Sequence, residues 1–231
     1  MQPKAGYTGV ENLEVMEDAV KYNRYLLDLV KTHAPAQGTI VDFGAGSGQF
    51  AIPLRAAGVD ILAVEPDLHL RQRMASRGLR TIDNTKLLPD GSIACVYTLN
   101  VLEHIQDDVA ALRDLHRALA PTGRIIVYVP AFPILFTSMD AKVGHVRRYT
   151  KRELKENLEA AGFQIQSIAF VDSLGFFATL LFKMLGRNDG NVSRGALIAY
   201  DRLVFPLSRL VDLVSKRFFG KNLLVIATKR E

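Results

Sequence analysis

A glycine-rich segment marks the place where this chain can hold a polar ligand against its backbone. Residues 41–50 read Val-Asp-Phe-Gly-Ala-Gly-Ser-Gly-Gln-Phe, with glycines at alternate positions directly after an apolar run. Glycine allows a tight turn and lets a ligand lie against bare main chain. The pattern therefore predicts a ligand site at a strand-to-helix turn.

Two phosphate-binding motifs fit this segment less well. A dinucleotide fingerprint requires glycine at position 49, where the chain has Gln49, and a phosphate loop requires a Gly-Lys-Ser/Thr ending, which is missing here. A nicotinamide-dependent oxidoreductase is thus a weaker alternative.

Two histidines are candidates for moving a proton. His104 follows the apolar run 93–98, and His145 stands in the run Gly-His-Val-Arg-Arg-Tyr at 144–149. Histidine titrates near neutral pH, so either side chain has the chemistry of a general base. The alternative for His104 is a structural one, in which it caps or pairs at a helix start together with Glu103.

Three donor side chains follow His145. Arg147, Arg148 and Tyr149 offer directional hydrogen bonds suited to a carboxylate or phosphate, which predicts an anionic acceptor. The alternative is that the arginines pair with carboxylates such as Asp140 or Glu153 and fix the loop.

We predict no metal. Asp140 and His145 are possible ligands, but sequence spacing alone does not assemble an octahedral oxygen shell. The single cysteine, Cys95, lies in an apolar run and is expected in the core.

Apolar runs alternate with helical patterns along most of the chain. Alternation of this kind predicts parallel strands with crossover helices, and continuous apolar strands predict a sheet covered on both faces. The expected architecture is an α/β doubly wound sheet. Strands are expected at 39–43, 59–64, 79–83, 93–98, 124–129, 163–170 and 222–228, and helices at 15–33, 49–57, 66–77, 106–120 and 150–162.

A helical insertion is expected at 171–221, because about fifty residues are too many for a plain loop. Its first half is apolar but contains Asp172 and Lys183, so it falls short of a spanning helix. Its second half is amphipathic. We favour a helical hairpin that packs on the sheet, with an in-plane membrane contact as the alternative. The apolar face comprises Leu203, Leu207, Leu210, Val211, Val214 and Phe218.

Composition indicates an ordinary globular protein, expected as a single domain over 1–231. Of the 231 residues, 48% are hydrophobic and 23% charged, which excludes disorder and low complexity. Residues 171–231 hold 10 basic and 5 acidic residues, a bias that suits a solvated basic face or an anionic partner.

The chain lacks recognised nucleic-acid motifs, so we expect no nucleic-acid partner. One cysteine and no leader pattern predict a cytoplasmic setting, at the inner membrane face if the insertion contacts lipid.

Several motifs occur in the order typical of one enzyme family. They are the glycine loop, Glu65, Leu-Pro-Asp-Gly at 88–91, Asn-Val-Leu-Glu-His-Ile at 100–105 and Leu-Ala-Pro-Thr-Gly-Arg at 119–124. Over residues 15–170 the chain resembles the class I S-adenosylmethionine (SAM)-dependent methyltransferases. The run at 144–149 is similar to a bacterial branch associated with quinone and cell-envelope glycan pathways. The resemblance implies a Rossmann-like seven-stranded sheet, mostly parallel, with an antiparallel last strand.

The resemblance also implies SAM as cofactor and assigns residues to it. Glu65 would accept hydrogen bonds from both ribose hydroxyls. Either Asp83 or Asn84 would meet the adenine amine, and Leu99 and Asn100 would line the methionine end. The remaining cofactor residues are those of the loop: Asp42, Gly44, Ala45, Gly46 and Gly48.

The implied reaction is an in-line methyl transfer, which requires positioning of donor and acceptor and removal of the acceptor proton. We expect O-methylation of a small or lipid-like acceptor, with His104 and His145 as catalytic residues. A non-catalytic SAM-fold binding protein, as a membrane-associated partner subunit, is a further alternative. The sequence does not indicate an oligomeric state.

Overall fold

Seven strands form one sheet in the computed structural model of the chain, which describes residues 17–185 and 193–230. Their order across the sheet is β3-β2-β1-β4-β5-β7-β6, and β7 runs opposite to the other six strands. This confirms the predicted architecture. The strands are β1 Ile40–Phe43, β2 Ile61–Val64, β3 Arg80–Ile82, β4 Ile93–Leu99, β5 Leu119–Pro130, β6 Phe163–Val171 and β7 Asn222–Lys229.

Helices cover both faces of this sheet. Single 3-10 turns lie at Thr85–Leu87, Leu102–His104 and Pro133–Leu135, and a π-helical turn spans Tyr200–Val204. The α-helices are α1 Val20–His33, α2 Ala51–Ala56, α3 Leu68–Ser76, α4 Asp108–Ala118, α5 Ser138–Lys142, α6 Lys151–Ala160, α7 Ser173–Leu185, α8 Arg194–Ala199 and α9 Phe205–Ser215.

The core has one apolar layer on each side of the sheet. Val96 and Val127 belong to one layer with the inner residues of α4 and α6, whereas Tyr97 and Tyr128 belong to the other with those of α1. Neighbouring residues of a strand point to opposite faces, so strands buried on both faces appear as unbroken apolar runs. The apolar runs in the sequence therefore marked the positions of the strands.

Most predicted boundaries agree with the structure to within a few residues. The largest strand difference is β5, which begins at Leu119 because Leu119 pairs with Ile93 ahead of a register shift. The capping box of Thr150 and Glu153 is present at the start of α6. The predicted helix 15–33 begins outside the described residues. Residues 186–192 of the insertion also lie outside them.

The insertion packs with its polar side inward. Ser208, Asp212 and Ser215 of α9 are buried, whereas the apolar face that we expected against the sheet is exposed except at the half-buried Val211. The two helices of the expected hairpin do pack together, but α9 turns these polar groups inward because they have partners at the start of α7: Asp212 accepts hydrogen bonds from the backbone N–H groups of Asp172 and Ser173. Among the described residues, every helix is too short or too polar to cross a bilayer.

Candidate active site

A cavity of about 610 Å³ lies at the edge of the sheet where the parallel strands end. Its volume is in the range of small-molecule sites. Nine of the ten cofactor residues predicted from the sequence line it, and so do both histidines. The nine are Asp42, Gly44, Ala45, Gly46, Glu65, Asp83, Asn84, Leu99 and Asn100.

The glycine loop forms one wall of this cavity. Gly44 and Gly46 have φ values of +78° and +54°, a conformation that L side chains rarely adopt. A Cβ at Gly44 would lie 2.5 Å from the methyl carbons of Val101, so the position has no room for a side chain. Backbone therefore forms the surface that a ligand meets.

Gly48 is the predicted cofactor residue that does not line the cavity. Its φ is +80°, and a Cβ there would lie 2.9 Å from Met74 Cγ and 3.1 Å from Ile52 Cδ1. The third glycine thus allows close packing of α2 and α3 behind the loop.

Glu65 ties the loop to the end of β2. Its carboxylate accepts hydrogen bonds from Gly46 N at 2.8 Å and Asp67 N at 2.9 Å. Burial raises its pKa, although these two hydrogen bonds oppose the shift. Two ionised oxygens offer about four acceptor sites, so capacity remains for two further donors on the cavity side.

Asp42 is a buried acid with unused hydrogen-bonding capacity. Its Oδ2 has no hydrogen-bond partner among the described residues. Burial raises the pKa of Asp42 to about 7, and the nearby Glu65 contributes in the same direction. A cationic ligand in the cavity would relieve this cost by pairing with the carboxylate.

The two further polar positions have local structural partners. Asn84 Oδ1 caps the turn at 85–87 by accepting from Lys86 N at 3.0 Å, and its Nδ2 donates to Asp83 Oδ1 at 2.7 Å. Asn100, with φ +57°, donates to Tyr22 Oη at 3.3 Å. Tyr22 brings α1 to the cavity wall.

His145 belongs to a hydrogen-bonded chain with Asp140 and Arg148. Its Nδ1 lies 2.7 Å from Asp140 Oδ1. Arg148 donates to both oxygens of Asp140, at 2.8 Å and 3.0 Å. Burial alone would raise the pKa of Asp140, but the hydrogen bonds from His145 and Arg148 outweigh it and hold the pKa well below its usual range.

Glu103, His104 and His145 form a second group in the same place. The His104 and His145 rings meet edge to face at 4.7 Å, and His145 Nε2 lies 3.8 Å from Glu103 Oε1. Burial lowers the pKa of His104 to about 4, and His145 contributes to the shift. Ligand atoms of the three lie within 4.8 Å of one another, which would suit a metal ion. The prediction that no metal is used stays a prediction.

Two of the three predicted acceptor residues lie outside the cavity lining. Arg147 donates to Gln106 O at 2.6 Å and to Asp108 Oδ1 at 3.3 Å. Tyr149 is fully buried, and its hydroxyl donates to Asp108 Oδ2 at 2.6 Å. Arg148 lines the cavity but is bound to Asp140. The contacts thus favour the structural alternative for both arginines, with Asp108 rather than Glu153 as the partner of Arg147.

Sequence reasoning missed Lys221 and Asn222, which also line the cavity. They stand at the start of β7, far along the chain from the other site residues. Because β7 is antiparallel, its first residues lie at the edge where the parallel strands end. An antiparallel last strand was already expected from the sequence. That expectation could have placed residues 221 and 222 at the ligand-binding edge of the sheet.

Comparison with known proteins identifies the family. A family model described as a methyltransferase domain matches residues 16–168. A probable SAM-dependent methyltransferase of Mycolicibacterium smegmatis is 28% identical over 152 residues, which cover 63% of this chain and 57% of that protein. A demethylmenaquinone methyltransferase of Thermus thermophilus is 32% identical over 119 residues, covering 47% of this chain and 53% of that protein. The chain thus spans little more than half the length of these relatives.

A solved structure shows the same fold. The SAM-dependent methyltransferase of Thermotoga maritima, described as a possible histamine N-methyltransferase, superposes with a TM-score of 0.63 at 18% identity and covers 95% of each chain. The orphaned Asp42 oxygen, the side-chain-free wall at Gly44 and the spare acceptors of Glu65 fit a cationic nucleoside. The chain belongs to the SAM-dependent methyltransferases.

Proposed function

We propose that this chain transfers the methyl group of SAM to a hydroxyl of a small or amphiphilic acceptor, with His145 as the general base. The observation that carries the proposal is the contact between His145 Nδ1 and Asp140 inside the cavity that holds the glycine loop. A carboxylate–imidazole pair is the arrangement that enzymes use to orient a histidine base.

The protonation states follow from the contacts. Asp140 is ionised at neutral pH because Arg148 and His145 hold its pKa low despite burial. An ionised carboxylate only accepts, so His145 Nδ1 carries the proton in this pair. The neutral tautomer then has its lone pair on Nε2, which is the atom that would take the acceptor proton.

Arg148 is a positioning residue in this proposal. Its guanidinium fixes both oxygens of Asp140, and Thr137 N and Oγ1 donate to Oδ2 at 2.8 Å and 3.0 Å. This fixed carboxylate holds the imidazole plane in turn. The pair of arginines predicted to bind an anionic acceptor would therefore act through the base and the loop fold.

Bound SAM supplies an electrophilic methyl group on a sulfonium. Asp42 would pair with its cationic end, and Glu65 would accept from its ribose. His104, neutral at pH 7 because its pKa is lowered, would form part of the acceptor wall beside His145. Lys221 adds a basic side chain to the lining, which suits an acceptor with anionic character. One relative is named for demethylmenaquinone, which supports an amphiphilic acceptor.

Transfer of labelled methyl from SAM into a fractionated bacterial extract tests the proposal. The wild-type protein is expected to label the lipid or the small-molecule fraction. His145→Gln keeps a polar side chain but no titratable nitrogen, so the rate should fall by roughly 10²–10⁴-fold, the usual contribution of a general base.

The matched control is His69→Gln, because His69 is an exposed histidine on α3. It should leave labelling unchanged. SAM affinity is measured in parallel and should be the same in all three proteins. Equal labelling by His145→Gln and wild type would refute the role of His145, and label confined to macromolecules would refute the acceptor class.

A further inference from the structure

Helix α9 is amphipathic with its apolar side turned to solvent. Leu203 of the preceding π-helical turn and Leu207, Leu210 and Val214 of α9 recur at spacings of four, three and four residues, so they share one face. All four are exposed, by 53% to 75%. In a helix that only packs on its own domain, this face would be buried.

Apart from Phe205, the buried side chains of α9 are polar, and they have hydrogen-bond partners. Ser208 Oγ accepts from Leu174 N at 2.9 Å, and the Ser173 hydroxyl bonds to Asp212 at 2.6 Å. Arg209 donates to Asp212 and lies 4.0 Å from the centre of the Tyr25 ring. These bonds fix the rotation of α9 about its axis. Rotation that buried the leucines would expose a capping network for α7, so the outward apolar face is built into the fold.

Large exposed apolar side chains are concentrated in this part of the protein. The described residues include fourteen large apolar side chains that are exposed, and nine of them lie between positions 173 and 218. They remain exposed even though α7 and α9 pack against each other. Scattered single residues of this kind need no explanation, but a cluster indicates an interaction site. We call these nine the apolar surface: Phe177, Leu181, Met184, Leu203, Leu207, Leu210, Leu213, Val214 and Phe218.

Exposed charge in the described part of 171–230 has one sign, and Arg194 is paired with Asp18 from the start of the described chain. Within the described part of 171–230, the acidic residues Asp172, Asp201 and Asp212 are all buried. The exposed charged side chains of the same stretch are all basic: Lys183, Arg194, Arg202, Lys216, Arg217 and Arg230. A second copy of the chain would bring like charges together across a two-fold axis, whereas an anionic surface would neutralise them.

We propose that α7 and α9 form a docking surface for an anionic lipid bilayer, with α9 lying in the plane of the interface. Leucine, valine and phenylalanine on one face and flanking lysine and arginine are the composition of interfacial helices. Binding would combine burial of the apolar surface with attraction between basic side chains and anionic headgroups. Lys183 Nζ donates to Ile134 O at 2.6 Å, which links α7 to the segment leading to His145.

Co-sedimentation with lipid vesicles tests the docking surface directly. The full chain should bind vesicles of phosphatidylcholine and phosphatidylglycerol at 7:3 at least about tenfold more tightly than pure phosphatidylcholine vesicles, and added salt should weaken this binding. Leu210→Ser with Val214→Ser should reduce binding about tenfold or more. Lys216→Gln with Arg217→Gln should reduce binding to anionic vesicles to a similar degree.

Matched controls change equally exposed residues elsewhere. Leu68→Ser with Leu87→Ser removes apolar side chains that are 55% and 60% exposed, and Arg152→Gln with Lys155→Gln removes exposed charge from α6. Both controls should bind as the wild type does, and thermal unfolding verifies that every variant is folded.

Four results would overturn the proposal. These are no sedimentation with anionic vesicles, equal binding to neutral vesicles, unchanged binding of the Leu210/Val214 variant, and a wild-type dimer that the same variant dissociates in light scattering. The last result would assign the apolar surface to a second copy. None of these outcomes depends on methyl transfer, so docking and catalysis fail or succeed separately.

Discussion

Glu103 is a buried carboxylic acid beside the candidate base His145. It is fully buried, and neither carboxyl oxygen has a hydrogen-bond partner among the described residues. Burial raises its pKa to about 8, so the side chain is mostly neutral at pH 7. The folded state therefore holds a proton that the unfolded chain releases near pH 4.5.

The pH dependence of stability should reveal this proton. Because the folded pKa is raised, the stability from Glu103 is fully present below pH 4.5 and is lost as pH rises through about 8. Glu103→Gln cannot lose a proton, so its stability relative to wild type should increase by up to about 1.4 kcal/mol per pH unit in that window. Urea unfolding at pH 5 and pH 7.5 measures the difference.

The control for this experiment is Glu156→Gln, which removes an exposed carboxylate of α6. It should show no pH-dependent difference from wild type. If the difference in stability between Glu103→Gln and wild type is also the same at both pH values, Glu103 is ionised in the folded protein.

Residue types predicted much of the site, but not the direction in which each side chain acts. Three alternate glycines indicated a ligand loop, yet only the structure shows that Gly48 faces Met74. Two adjacent arginines indicated an anion site. Whether an arginine binds a ligand or a carboxylate of its own chain depends on three-dimensional neighbours, and for Arg148 that neighbour is Asp140.

At the scale of elements, a buried carboxylate of the insertion, Asp201, caps helix α1 of the main domain. Asp201, in the π-helical turn, accepts from the first amides of α1, Lys21 N at 2.9 Å and Tyr22 N at 2.8 Å. The residue before α1, Ala19, has no side-chain oxygen to cap it. The insertion thus supplies the N-terminal cap that α1 lacks, and it holds Tyr22 against the cavity.

Removal of this cap should destabilise the protein. Asp201→Ala leaves two amides of α1 without their charge-assisted acceptor, so the free energy of unfolding should fall by about 2 kcal/mol. Urea unfolding monitored by circular dichroism provides the measurement. SAM affinity should also fall, because Tyr22 lines the cavity.

Asp18 provides the comparison. It also joins α1 to the insertion, through two contacts with Arg194, but Arg194 is exposed. Exposed ion pairs contribute little, so Asp18→Ala should be indistinguishable from wild type. Equal losses in the two variants would contradict the capping role of Asp201.

Element positions were predictable because helical and strand periods differ, but the orientation of α9 was not. Periodicity shows that Leu203, Leu207 and Leu210 share a face, and it does not show which face packs inward. That choice was decided by Ser208 and Asp212, which meet the start of α7. Such partners are 34 and 39 residues away along the chain and leave no local pattern.

Across the whole molecule, the strand order decides what the cavity contains. The parallel strands β1, β2 and β4 bring the glycine loop, Glu65 and Asn100 to one edge of the sheet, and β7 adds Lys221 from the opposite direction. Ligands of such folds bind at this edge. The segment after β5 closes the site with Asp140 and His145, which lie far from the loop in sequence.

Titration of SAM into the purified protein by calorimetry tests the central claim most directly, namely that the glycine-loop cavity is the SAM site. Gly46 and Gly91 have φ values of +54° and +63°, and a Cβ at Gly91 meets nothing within 4 Å. Gly46→Val and Gly91→Val therefore impose similar backbone strain, but only the first places a branched side chain on the cavity wall. We expect one SAM per chain for wild type and Gly91→Val, and affinity at least about tenfold weaker, or about 1.4 kcal/mol, for Gly46→Val. Equal SAM affinity in Gly46→Val and wild type, or no saturable binding by the wild type, would contradict the account.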